Sequence, residues 1–189
     1  DLYTGLHGWA EGLIAAGWRV IGFDLEDMSR ALGEPLPPEH FHLVLQDVLT
    51  LHGSQFKDAE LIVGSSPCQE FSYRAMPWKR AKALGPPEFG MRLFEAQFRI
   101  QREASDAAGR HIPMIVENVR GAIPWVGRSR WNFGSFHLWG DVPALMPITF
   151  KASKVPGFRF DGSGGSFQTA SVEYTGTKVP SEQGRRTDP

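Results

Sequence analysis

One cysteine and one glutamate are the side chains best placed for covalent chemistry. Cys68, the only cysteine of the chain, lies in Ser66-Pro67-Cys68-Gln69, directly after an apolar run. Glu117 likewise follows an apolar run, Met114-Ile115-Val116. A thiol beside a carboxyl group suits addition to an electron-poor ring, because the acid protonates a ring nitrogen while the sulfur attacks. The alternatives are an inert, buried cysteine and a glutamate that merely neighbours a helix start.

Four short apolar runs predict the strands that position this pair. None alternates with polar residues, as is typical of strands buried on both faces of a parallel sheet. Each ends in polar or small residues, and open α/β sheets bind ligands at the carboxyl ends of their strands. The four runs span residues 20–23, 43–45, 61–63 and 114–116.

Helical patterns lie between these runs. One stripe passes through Trp9, Leu13 and Ala16, and a longer amphipathic stretch extends from Phe89 to near Gly109. The order of the elements predicts a doubly wound, Rossmann-like α/β domain over residues 1–150.

The two ends of the chain depart from a complete fold of this type. The sequence opens directly before a glycine-rich turn, so we expect most of a first strand to be missing. Residues 151–189 contain 6 Gly, 3 Pro and 5 Ser with little periodicity, which predicts a long loop or a poorly ordered tail.

Composition excludes several classes of protein. Of the 189 residues, 41% are hydrophobic and 22% are charged, which excludes a disordered chain. No run of about 18 apolar residues exists to span a bilayer. A single cysteine excludes a disulfide framework and a multi-cysteine zinc site, and it fits a reducing, cytoplasmic compartment. The six histidines show no metal-binding spacing, so no metal is expected.

The charges are distributed unevenly along the chain. Residues 1–72 carry 3 basic and 11 acidic side chains, whereas residues 73–130 carry 11 basic and 5 acidic ones. Such a reversal is expected where one face of a protein meets a polyanion. Solvated helix faces would give the same reversal, so charge alone leaves both interpretations open.

Five short motifs follow one another across about the first 140 residues. They are Asp1-Leu2-Tyr3-Thr4-Gly5-Leu6-His7-Gly8, Asp24, Asp47-Val48, Pro67-Cys68-Gln69 and Glu117-Asn118-Val119. In this order they resemble the motifs of the DNA (cytosine-5)-methyltransferase family, of bacterial or phage type. The resemblance implies a methyltransferase sheet that binds S-adenosyl-L-methionine and releases S-adenosyl-L-homocysteine.

The resemblance also assigns roles in cofactor binding. The glycine-rich turn would hold the cofactor, Asp24 would bind its ribose hydroxyls, and Asp47-Val48 would contact its adenine. The implied cofactor-binding residues are Tyr3, Thr4, Gly5, Gly8, Asp24, Asp47, Val48 and Pro67.

The mechanism implied by the resemblance uses Cys68 as the nucleophile and Glu117 as its partner. The thiolate adds to C6 of a cytosine, Glu117 engages N3, and C5 then takes the methyl group. Because the target carbon is inaccessible inside a duplex, the base must be flipped out of double-stranded DNA. The reaction needs a thiol of low pKa, which we expect the basic stretch after residue 72 to help supply.

Two further segments are candidates for contacts with nucleic acid. Arg128 and Arg130 resemble the Arg-x-Arg of the family's Gln-x-Arg-x-Arg motif, although Val126 stands where glutamine is expected. The resemblance makes them catalytic residues that support the nucleophile loop and the O2 atom of the cytosine. Their alternative is a pair of exposed, phosphate-facing arginines. Residues 73–82 interleave basic and aromatic side chains and are expected to close over the flipped base. The alternative is a surface loop with one anchored tryptophan.

Departures from the family's pattern keep other functions open. His7 replaces a glycine of the cofactor turn, which matters if that position needs a positive φ. No helix resembling the family's last motif follows the tail. A tRNA cytosine-C5 methyltransferase, which shares the same motifs, is one alternative. A truncated, inactive module that binds nucleic acid or cofactor is another, and an unrelated α/β protein is a third. No membrane and no obligate protein partner is inferred.

Overall fold

A computed structural model describes residues 1–29, 35–72, 86–134 and 136–146. Three helices and six strands occupy these ranges, with short 3₁₀ turns between them. In chain order they are α1 (Gly8–Ala15), β1 (Val20–Asp24), β2 (Phe41–Leu45), β3 (Ile62–Gly64), α2 (Glu88–Ala108), β4 (Met114–Val119), α3 (Ile123–Val126), β5 (Trp131–Phe133) and β6 (Phe136–Gly140).

The strands pair in two groups. β1 pairs in parallel with β2, and the order of the second group is β3-β4-β6-β5. β3 and β4 are parallel, with Gly64 opposite Val116. β6 runs antiparallel to both β4 and β5.

Residues 1–4 join the two groups. Leu2 forms parallel bridges with Phe23 of β1 and with Gly64 of β3. Its N–H donates to the carbonyl of Val63 at 2.8 Å, and its carbonyl accepts from the N–H of Ser65 at 3.1 Å. This segment therefore pairs as a short first strand, with β1 on one side and β3 on the other.

The core lies between the sheet and α2. Ile100 and Ala104 of α2 are fully buried, and the rings of Phe94 and Trp139 meet edge to face with centroids 5.3 Å apart. The apolar stripe of α2 produces this packing, and the helix ends at Gly109, whose φ of 64° is the left-handed conformation of a glycine C-cap.

The structure confirms the α/β class and the four predicted strands. β6 is the departure from a parallel sheet. Gly134 adopts a φ of 57° after β5, and β6 then inserts antiparallel between β5 and β4. On these two strands Phe133 and Phe136 are 40% and 45% exposed, whereas Trp139 is buried. The sheet is therefore mixed.

Some predictions fall outside the described residues. They concern the segment 73–82, the boundary at residue 150 and the tail 151–189. Among the helices of the described ranges, none combines the length and the apolar character needed to cross a lipid bilayer.

Candidate active site

The sequence motifs meet where the strand order reverses. From the first strand, residues 1–4, the chain continues to β1 and β2 on one side, whereas β3 and β4 lie on the other. The turn 4–8 and the loop 65–72 both leave the sheet at this point. A reversal of strand order opens a crevice at the carboxyl ends of parallel strands.

The loop that carries Cys68 is anchored at its far end. Phe71 is fully buried, and its N–H donates to the carbonyl of Cys68 at 3.0 Å. The carboxylate of Glu70 accepts from the N–H of Gly90 at 2.6 Å, at the start of α2, where the helix dipole favours an anion. The turn around Cys68 is thus fixed by the core and by α2.

Asn118 fixes the near end of the loop. Its side chain is 1% exposed, and Nδ2 donates to both the carbonyl and the hydroxyl of Ser66, at 3.0 and 3.1 Å. Its Oδ1 accepts from the N–H of Val119 at 2.8 Å. Because β3 and β4 are neighbours, this contact brings Cys68 close enough to Glu117 for their charges to interact.

The acid and the thiol both favour their neutral forms. Burial raises the pKa of Glu117 to about 7, while a hydrogen bond from Ser65 acts in the opposite direction. Burial also raises the pKa of the Cys68 thiol, and the carboxylate of Glu117 raises it further. The expectation of a low thiol pKa is therefore wrong for the described surroundings of Cys68, because they supply a carboxylate and no cation. The basic stretch expected to lower it lies outside them.

The single cysteine makes this thiol directly measurable. In the full chain, we expect alkylation of Cys68 by iodoacetamide to have its pH midpoint above that of a free thiol. Glu117→Gln removes the charge that opposes the thiolate, so the midpoint should move to lower pH. An unchanged midpoint in Glu117→Gln would contradict the proximity of the two side chains.

The turn after the first strand is built on left-handed backbone. Tyr3, Gly5 and His7 have φ of 57°, 47° and 61°. Asp24, at the end of β1, accepts from the N–H of Gly5 at 2.8 Å with one oxygen and from the N–H of Leu25 at 2.7 Å with the other. The carboxylate predicted to bind ribose thus also holds the turn in shape.

His7 occupies a position that does require positive φ. The residue is 1% exposed, and its ring lies 4.6 Å from that of Phe41. Neither ring nitrogen has a hydrogen-bond partner, and burial lowers the pKa of the ring. The side chain therefore packs as a neutral ring. A residue other than glycine costs backbone strain in this left-handed conformation.

The remaining predicted cofactor residues are spread around this turn. Thr4 is buried and donates to the carboxylate of Asp1 at 2.7 Å, and Gly8 begins α1. Asp47 accepts from the N–H of Leu49 at 2.9 Å and lies near the phenol of Tyr3. Val48 is 2% exposed in the core, and Pro67 is exposed beside Cys68.

These residues fit the cofactor that the resemblance implies. A Cβ added at Gly8 would meet nothing within 4 Å, and one at Gly5 would meet only the carbonyl of Tyr3 at 3.9 Å, so the turn has open space beside it. Asp24 and Asp47 are both close enough to Tyr3 for their negative charges to raise the pKa of its phenol. Open backbone followed by two acids suits a ligand that carries a sulfonium, an ammonium and a ribose.

Arg128 and Arg130 come just before β5, and β6 separates β5 from the strand that carries Glu117. Both arginines are exposed, and the backbone N–H of Arg130 donates to the carbonyl of Leu138 at 2.8 Å. Glu117 pairs with Leu138 from the opposite side, so β6 lies between Arg130 and the acid. Two strand spacings amount to about 10 Å. Among the described residues, only Cys68 and Glu117 of the four predicted catalytic residues come together.

Sequence analysis missed the residues that hold this pair. Asn118 and Ser66 flank the two predicted residues, but their contact depends on the pairing of β3 with β4. Ser65 and Trp9 are a second example: the Nε1–H of Trp9 donates to the hydroxyl of Ser65 at 2.9 Å. The only available signal was the position of Ser65 directly after an apolar run. Comparison of the sequence with known protein-family models and with curated proteins finds no match.

Proposed function

We propose that this protein is an S-adenosyl-L-methionine-dependent DNA (cytosine-5)-methyltransferase. The observation that carries the proposal is the meeting of Cys68 and Glu117 at the ends of adjacent parallel strands, with a pKa of about 7 for the acid. A perturbed carboxyl group beside a nucleophile in a crevice is typical of a catalytic site.

The strand order supports a Rossmann-like methyltransferase sheet. Residues 1–4, β1, β2, β3 and β4 take the places of strands 1 to 5 in the order 3-2-1-4-5. The turn 4–8 follows strand 1 and the Cys68 loop follows strand 4, the two strands between which such folds bind their ligand.

In the reactive state, Cys68 and Glu117 together carry one proton, and this proton is on Glu117. With Cys68 as thiolate and Glu117 as neutral acid, the sulfur forms a bond to C6 of the cytosine. The electron pair of the C5=C6 bond moves through C4 to N3, which takes the proton of Glu117. C5 becomes nucleophilic as a result. Once C5 carries the methyl group, its proton passes to solvent water and the C5–H electron pair restores the C5=C6 bond. The S–C6 bond breaks, the sulfur leaves as the thiolate, and N3 returns its proton to Glu117.

The turn and the acids beside it would hold the cofactor. When bound, S-adenosyl-L-methionine supplies an electrophilic methyl group on a sulfonium. The backbone of Gly5 and Gly8 is open toward a ligand, and Asp24 and Asp47 provide negative charge nearby. Partial burial of Glu117 raises its pKa to about 7, so the acid keeps a proton to give to N3 up to near-neutral pH.

Covalent trapping tests the proposal. The full chain is incubated with cofactor and a pool of random-sequence DNA duplexes in which 5-fluorocytosine replaces cytosine, then run on a denaturing gel. Fluorine on C5 blocks the final elimination, so the enzyme should stay attached to the DNA. Because Cys68 is the only cysteine, Cys68→Ala should show no adduct, and Ser54→Ala, a surface change, should behave as wild type.

The other outcomes separate the alternatives. An adduct on 5-fluorocytosine RNA but not on DNA would replace the proposal with a tRNA methyltransferase. Cofactor binding in calorimetry without an adduct on either substrate would overturn it in favour of an inactive binding module.

A further inference from the structure

A chain of hydrogen bonds leads from the cofactor turn to Glu117. Trp9 lies in the first turn of α1 and donates through Nε1–H to the hydroxyl of Ser65 at 2.9 Å. Ser65 directly follows β3, and its own N–H is held by the carbonyl of Leu2 at 3.1 Å. Ser65 follows Gly64 of β3 as Glu117 follows Val116 of β4, so the two residues are neighbours across this strand pair, and the side chain of Ser65 favours the carboxylate of Glu117. Three separate elements are thus connected through one hydroxyl group.

The chemistry of the three groups fixes the direction of this chain. An indole nitrogen only donates, and a serine hydroxyl has a single O–H to give. Since Ser65 accepts from Trp9, its O–H is available for Glu117, which must accept it with a lone pair. Because the carbonyl oxygen of a neutral carboxyl group is the stronger acceptor, Ser65 binds that oxygen and the proton of the acid lies on the other.

We propose that Trp9 and Ser65 are positioning residues that direct the proton of Glu117 toward the substrate. By occupying one carboxyl oxygen, Ser65 leaves the O–H of the neutral acid on the other, where it meets the ring nitrogen of the cytosine. Trp9 holds the hydroxyl of Ser65 in the donating orientation. This inference rests on the proposed function, because it assigns a direction to the same proton transfer.

The surroundings of Glu117 offer few competing partners. The thiol of Cys68 approaches from the loop after β3, and the residue opposite on β6 is the apolar Leu138. Arg120, the next charged residue along the chain, is exposed and acts on His137. Among the described residues, burial and Ser65 are the influences that set the pKa of Glu117.

The first test does not depend on activity. The side-chain carboxyl carbons of the full chain are followed by ¹³C NMR as the pH changes, with Glu117→Gln identifying the signal. Ser65→Ala removes a hydrogen bond that favours the carboxylate, so the midpoint of Glu117 should move to higher pH, by up to about one pH unit. Trp9→Phe should move it in the same direction by less, and Ser65→Thr, which keeps the hydroxyl, should restore it.

The second test follows the rate of adduct formation with 5-fluorocytosine DNA. Ser65→Ala should lower the rate about tenfold, the worth of one charge-assisted hydrogen bond. In the plot of this rate against pH, the increase at acidic pH should shift to higher pH, by as much as the midpoint of Glu117 does. Ser65→Thr should recover both the rate and the profile.

The outcomes distinguish this inference from the proposed function. A Glu117 midpoint that is the same in wild type, Ser65→Ala and Trp9→Phe overturns the inference, even if adduct formation slows. So does a threonine variant that behaves like the alanine one, since the hydroxyl would then be irrelevant. If wild type forms no adduct on any substrate while the midpoint moves as expected, the hydrogen-bond chain stands and the proposed function falls.

Discussion

If the proposed methyltransferase function holds, Glu117→Gln is expected to lower the rate of methyl transfer to DNA by about 10²- to 10⁴-fold, the usual contribution of a positioned general acid. Glutamine fills the same space and donates a hydrogen bond, but it cannot deliver a proton to N3. The first-order rate with saturating cofactor measures the effect. Glu95→Gln, an exposed position on α2, is the matched control and should retain the wild-type rate.

The pH dependence of kcat/KM should change with the rate. Because Glu117 loses its proton at a lower pH than Cys68, a pair with one proton is mainly thiol and carboxylate. At pH values between the midpoints of Glu117 and Cys68, the reactive form with a thiolate and a neutral acid is then a small fraction of the protein, and this fraction does not change with pH. The wild-type kcat/KM should rise to about pH 7, stay level, and fall above the thiol midpoint.

Glu117→Gln should lose the rise near pH 7 and follow the ionisation of the thiol alone. A variant that keeps both the rise near pH 7 and the wild-type rate would exclude Glu117 as the acid.

Gly121→Ala is expected to destabilise the protein by about 3 kcal/mol, at the upper end for overpacking a well-filled site. A Cβ at this position would lie 1.9 Å from the carbonyl oxygen of Phe71. Phe71 is fully buried, so the backbone of the Cys68 loop must shift to make room. Urea unfolding measures the change as a lower midpoint at an unchanged slope.

Gly12→Ala is the matched control for this change. Gly12 lies in the exposed interior of α1, and a Cβ there would meet nothing within 4 Å. Alanine should stabilise the helix by up to about 1 kcal/mol. If Gly121→Ala were as stable as wild type, the backbone of the Cys68 loop would be able to move at Phe71. The position of that loop beside β4 would then not be required for folding.

Local patterns were sufficient to predict the elements that have a strong periodicity. The apolar stripe from Phe89 onward and the glycine at position 109 predicted both ends of α2 to within about a residue. In the structure Gly109 has the left-handed conformation of a C-cap. Four uninterrupted apolar runs predicted β1 to β4. β5 and β6 escaped prediction because β6 is stabilised by pairing with β4 and β5 by pairing with β6, and three residues such as Trp131–Phe133 are too few to show a periodicity.

The candidate site was predictable in its reactive groups but not in what orients them. A thiol and an acid, each following an apolar run, were visible in the sequence. The contact of Asn118 with Ser66 depends on which strands are neighbours. The raised pKa of the thiol depends on burial and on a partner from another strand. Neither property belongs to a short stretch of chain.

The anchoring of Glu70 to Gly90 has a consequence for how this protein can diversify. Both ends of the intervening stretch are held at one place beside Cys68, by a 2.6 Å hydrogen bond and by the buried ring of Phe71. Doubling the length of a closed loop costs only about 0.6 kcal/mol. A change in the number of residues between Ser72 and Pro86 therefore need not disturb the contacts of Glu70 and Phe71. Related sequences should vary in length here before they vary in the strands.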